Sequence, residues 1–69
     1  MDSEIIFLVE EAEEGGYTAH ALGHSIFTEA DTWAELKEMV QEAVRCHFEE
    51  HAMPRIVRLH VVRDEVLAV

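Results

Sequence analysis

Thr32-Trp33-Ala34-Glu35-Leu36-Lys37-Glu38-Met39-Val40, residues 32–40, opens the one helix that the sequence predicts, and the rest of the fold is read outward from it. Thr32 and Glu35 have capping-box spacing, in which hydroxyl and carboxylate each satisfy an orphan N–H of the first turn. Asp31 adds negative charge where the helix dipole favours it. At 100° per residue, Trp33, Leu36, Val40, Ala43, Val44 and His47 share one face, with Met39 at its edge. Glu35, Glu38, Glu42, Arg45 and Glu49 take the solvated side. Pro54 disfavours helical geometry at Met53, so the helix is expected to fade near Glu50 to Ala52.

Upstream of the helix the pattern is strand. Ser3 to Glu11 contains the unbroken run Ile5-Ile6-Phe7-Leu8-Val9, which reads as a strand buried on both faces. Acidic residues end it, and Gly15-Gly16 allow the reversal. Tyr17 to Leu22 alternates, with Tyr17, Ala19 and Ala21 on one face and Thr18, His20 and Leu22 on the other. Gly23 breaks that strand, and Ser25 to Glu29 makes a short third one. Three short strands with tight connections predict an antiparallel meander.

Downstream, Arg55 to Val69 is strand again. Val57, Leu59 and Val61 face one way, and Ile56, Arg58, His60 and Val62 face the other. Arg63-Asp64-Glu65 interrupts the run, and Val66-Leu67-Ala68-Val69 is expected to form a fifth pairing segment, within the chain or across a subunit boundary. The predicted fold class is α+β: a three-stranded antiparallel meander, one helix packed on the sheet, then one or two C-terminal strands, all in one domain, residues 1–69. The sheet face away from the helix has nothing to cover it. Of the 69 residues, 49% are hydrophobic, more than a core of this size hides. A homo-oligomer, dimer or higher, is therefore expected.

Charge limits the partners. Fifteen Asp and Glu against five Lys and Arg give a formal net charge of −10. That sign repels phosphate, so direct binding to nucleic acid or to an anionic membrane is not expected. The longest apolar run, Ile5–Val9, is far too short to span a bilayer. Asp2 and Glu4 contradict the positive start of a signal peptide, and the lone Cys46 gives no internal disulfide; a cytoplasmic location is expected.

Catalytic constellations are absent from the pattern, so no enzyme and no cofactor is expected. His47 and His51, four apart, would share a helical face and are the nearest approach to a metal pair. A third ligand would have to come from His20, His24 or His60, and the simpler reading is packing at the core edge for His47 and a favourable helix-end charge for His51. Cys46 reads as an inert, partly buried thiol. Glu10, Glu11, Glu13 and Glu14 lack the spacing of a calcium loop. They form a solvated acidic turn that could also serve as a rim for a basic partner, and they are the candidate partner-binding residues.

The sequence Glu14-Gly15-Gly16-Tyr17-Thr18-Ala19, then Thr28-Glu29-Ala30-Asp31-Thr32, then the helix from Leu36 through Phe48, resembles the HicB-like antitoxin family over about residues 4–50. The resemblance implies a β-β-β-α-β core like a partial ribonuclease-H fold without a nuclease site. It also implies a partner: family antitoxins cover the active site of a small basic RNA-cleaving toxin. Two features depart from the family pattern. Ala21-Leu22-Gly23-His24-Ser25 stands where a Pro-x-Leu-x-Gly segment is usual, and the DNA-binding module that many members carry is not present in these residues. The reading that follows is a stand-alone, acidic, antitoxin-like binding module. The alternative is a self-associating structural domain without a surviving toxin partner.

Overall fold

The computed structural model describes residues 3–69; Met1 and Asp2, the latter part of the charge argument above, lie outside the described residues. The strands are β1 (Glu4–Glu11), β2 (Tyr17–Ala21), β3 (Phe27–Ala30) and β4 (Ile56–Val62), with the helix α1 (Trp33–His47) between β3 and β4. They form one sheet in the order β3-β2-β1-β4. β1–β2 and β2–β3 pair antiparallel, as the meander requires, and β4 pairs parallel to β1. Two antiparallel steps make β3 run in the direction of β1, so β3-α1-β4 is a crossover that passes over β2 and β1 to reach the far edge. The fold is α+β with a mixed sheet.

One sheet face carries the core. Ile5, Phe7 and Val9 of β1 and Ala19 and Ala21 of β2 are buried there with Leu36, Val40 and Val44 of α1. The small alanines on β2 let the helix approach the sheet closely. β1 is not buried on both faces, in contrast to its continuous apolar run: Ile6 and Leu8 are only half-buried on the open face. Among the described residues no second α-helix covers them. β3 starts at Phe27, two residues later than its sequence suggests, because Ile26 drops into the core while its carbonyl accepts from the Ala21 N–H at 3.0 Å.

The helix start follows its sequence closely. The Glu35 N–H donates to Thr32 Oγ1 at 3.1 Å. The Glu35 carboxylate accepts from the Asp31 N–H at 3.2 Å, one residue upstream of the usual capping-box donor. Thr32→Ala removes the hydroxyl acceptor and is expected to cost about 1 kcal/mol, with Thr32→Ser retaining most of it; a chemical denaturation curve of each variant reads this directly.

The helix end departs from expectation. α1 stops at His47, and Phe48 turns extended (φ −108, ψ 147). Its ring packs half-buried against the core, and a separate 3-10 turn, Glu50–Ala52, follows. Ser3 then fixes the entry to β4: its carbonyl accepts from the N–H groups of Arg55 (2.8 Å) and Ile56 (3.0 Å). Across the open face, Glu4 forms an ion pair with Arg58, two positions along β4 from its own register partner Ile56. The Glu4 carboxylate, by hydrogen bond and by charge, raises the Arg58 pKa above its ordinary value.

The expected fifth strand does not form within the chain. Val66, Leu67 and Val69 are exposed and belong to no strand.

Candidate partner-binding surface

Local turn chemistry sets the acidic end of the molecule. The Gly15 N–H donates to the Ala12 carbonyl at 3.0 Å, which closes a β-turn with Glu13 and Glu14 at its two central positions. Both side chains therefore stand in solvent. Gly15 and Gly16 follow with φ +98 and +88, the left-handed region that glycine reaches without strain.

Of the four carboxylates expected to bind a partner, each is exposed, but they do not share one surface. Glu10 lies on the open sheet face, in register with Thr18 of β2 and Val62 of β4. Glu11 ends β1 and forms an ion pair with Arg63 at 3.5 Å. Glu13 and Glu14 cap the turn beyond them. The sheet register brings in a second group that the sequence reading did not assign to a site. Glu29 pairs with Thr18 from the other side, so Glu10 and Glu29 flank Thr18 on the open face, about 10 Å apart across three strands. Asp31 and Glu35, read from sequence only as helix-start residues, share a recess with Glu29 and not with Glu10.

Between this turn and the first turns of α1 lies an open cleft of about 460 Å³. Gly16, Tyr17, Glu29, Asp31, Glu35 and Met39 line it. Tyr17 is held in place by an edge-on contact with Trp33, ring centroids 5.5 Å apart. None of Glu10, Glu11, Glu13 or Glu14 lines the cleft; Glu13 and Glu14 lie in the turn whose Ala12 and Gly15 do. Three carboxylate residues and a tyrosine in one lining form a recess suited to a cationic side chain.

The histidines fall into separate places. His47 is the last residue of α1 and His51 sits in the 3-10 turn, so the break at Phe48 removes the shared helical face expected of them. His47 is exposed rather than packed at the core edge. Its ring meets His24 (5.8 Å between centroids) and Phe48 (4.8 Å) in a small edge-on cluster. His20 and His60 lie on the open sheet face, on either side of Leu8. Among the described residues, no three His, Cys, Asp or Glu side chains converge into a group that could hold a metal ion. Cys46 is exposed, not partly buried. No described helix is long and apolar enough to cross a membrane.

Fold and site together define a small α+β domain with a carboxylate-rich pole. Its sequence is 48% identical over 66 residues to a UPF0150 protein of Thermotoga maritima, covering 96% of this chain and 93% of the relative. It is 64% identical over 52 residues to a UPF0150 protein of Archaeoglobus fulgidus, covering 75% of this chain and 77% of that relative. The chain belongs to the UPF0150 family. No protein-family model and no solved structure matches it.

Proposed function

We propose that this UPF0150 chain is a non-catalytic binding module, of the HicB antitoxin kind, that engages a small basic protein through its acidic pole. The observation that carries the reading is the convergence of Glu29, Asp31 and Glu35 on one cleft, next to the exposed turn that holds Glu13 and Glu14. The residue order that resembles HicB-like antitoxins supports the class of partner: a small, basic, RNA-cleaving protein. Complementary charge speeds such an encounter and makes it sensitive to salt.

The test is capture of the tagged chain's partner from lysate of the cells that encode it, at low and then high salt. The expected product is a small basic protein, released at high salt, whose RNA cleavage the chain inhibits. Reversing Glu13 and Glu14 to Lys shifts the formal net charge from −10 to −6. It is expected to slow association with that partner about tenfold at low salt. An unchanged association rate would remove the acidic turn from the mechanism.

A second reading, self-association as a structural domain, is favoured by a different observation. Phe27, Ile56, Val61 and Leu67 are all large apolar side chains left exposed. The two readings are compatible, since a dimer can still present its acidic poles.

A further inference from the structure

The crossover leaves one part of the core side of the sheet without a lid. α1 packs over β2 and β3. On the same side, Val57 and Leu59 of β4 are only half-buried, and Val61 is exposed. Between β4 and the helix runs a groove of about 150 Å³, with Val57 and Leu59 as its floor and Lys37, Val40 and Gln41 as its wall. An apolar cavity of about that volume holds a benzene-sized group, so a leucine side chain fits.

An apolar segment without a partner lies in the same chain. Val66 is 88% exposed and Leu67 75%. The long axis of the molecule is 52 Å, against 23 and 18 Å for the other two. An eight-residue strand such as β1 accounts for about 26 Å of this and seven extended residues for about 23 Å. Residues 63–69 therefore run onward from β4, away from the domain, with the Arg63–Glu11 ion pair at the point of departure. Arg63-Asp64-Glu65 contains no glycine or asparagine to build a tight reversal. The segment thus projects from the end of β4, while the groove lies alongside its middle.

We propose that Val66–Val69 of one copy docks in the α1–β4 groove of a second copy, with Leu67 in the recess over Val57 and Leu59, and that the exchange is reciprocal. This rests on the self-association reading and names its surface. A reciprocal exchange around a two-fold axis closes the assembly as a dimer and buries both apolar segments together with both grooves. It leaves the acidic cleft, on the other side of the helix start, open to a basic partner.

The experiment compares the wild-type chain with Leu67→Asp and Phe27→Asp by sedimentation velocity across a range of concentrations. The wild type is expected to sediment as a dimer. Leu67→Asp places a charge in two apolar recesses per dimer and is expected to weaken it about a hundredfold or more, with an unchanged far-UV circular dichroism spectrum and a melt that no longer depends on concentration. Phe27→Asp, on the open sheet face, is expected to leave the dimer intact. A wild-type monomer overturns both this proposal and self-association. A dimer broken by Phe27→Asp and not by Leu67→Asp overturns this proposal alone, since the interface is then the sheet face. In a Cys46→Ser background, mixing a Leu67→Cys chain with a Gln41→Cys chain under mild oxidation should give a disulfide between copies. A disulfide formed within one chain, at high dilution of the variant carrying both cysteines, places the segment on its own groove and overturns the exchange.

Discussion

Phe7→Ala is expected to abolish the cooperative folding transition of this domain or to lower its midpoint by about 15 °C or more. Phe7 is fully buried at the centre of β1, the strand that pairs with both β2 and β4. Removing a ring from such a position costs about 3–5 kcal/mol, from lost transfer energy and the cavity left behind. A chain of this length has about 3–10 kcal/mol in total, so the loss removes much or all of it. In a domain of this size each kcal/mol moves the midpoint about 4–8 °C. Leu8→Ala is the matched control: it sits next in sequence but half-buried on the open face, and about 1 kcal/mol is expected. Thermal melts followed by far-UV circular dichroism compare the two. A Phe7→Ala midpoint no lower than that of Leu8→Ala would mean that the core is not where the burial pattern puts it.

Gly16→Ala is expected to cost about 2–3 kcal/mol, distinctly more than Gly15→Ala next to it. Both residues have positive φ, so an alanine at either meets the left-handed penalty of about 1–2 kcal/mol. Only at Gly16 is space also short. A Cβ there would lie 3.1 Å from the Ala30 carbonyl oxygen, whereas at Gly15 nothing lies within 4 Å. The crowding atom belongs to the backbone of β3 and cannot rotate away. The β1–β2 turn must shift instead, and with it the wall of the cleft opposite Asp31 and Glu35. Urea denaturation of the two variants decides the matter, equal costs refuting the close approach. Partner capture by Gly16→Ala reports whether the spacing of the turn also matters for binding.

These two sites also show how far the sequence could be read. The start of α1 was legible because it is local: Thr32, Glu35 and the spacing of Leu36, Val40 and Val44 need no distant partner to be recognised. The alternation of β2 and β4 was legible for the same reason, and both faces of each strand came out as their patterns indicate. The helix end was not. Pro54 suggested a stop near residues 50–52, but the backbone leaves the helix at Phe48, whose ring gains more from the core than from solvent. That break separates His47 from His51 and brings His47 to His24, 23 residues earlier in the chain. Of the candidate site, Glu13 and Glu14 were visible as a charge run. Glu29, Asp31 and Glu35 were visible only as strand-end and helix-start residues, because nothing local says which turn they will face.

By itself, then, the sequence determined the three strands, the helix and the strand after it, their order, the α+β class and the acidic net charge. All of these follow from short-range periodicity, capping and composition. Tertiary structure alone decided that β4 runs parallel beside β1, the crossover passing over two strands to that edge although the outer edge of β3 is also free. It decided the acidic cleft, because the end of β3 and the start of α1 bring Glu29, Asp31 and Glu35 up to the β1–β2 turn. It also decided that Val66–Val69 leaves the domain, since the helix covers β2 and β3 and the chain after β4 has no turn to bring it back. Each of these depends on pairing between residues far apart in sequence, where the energy lies in the fit of whole elements and no local pattern records it.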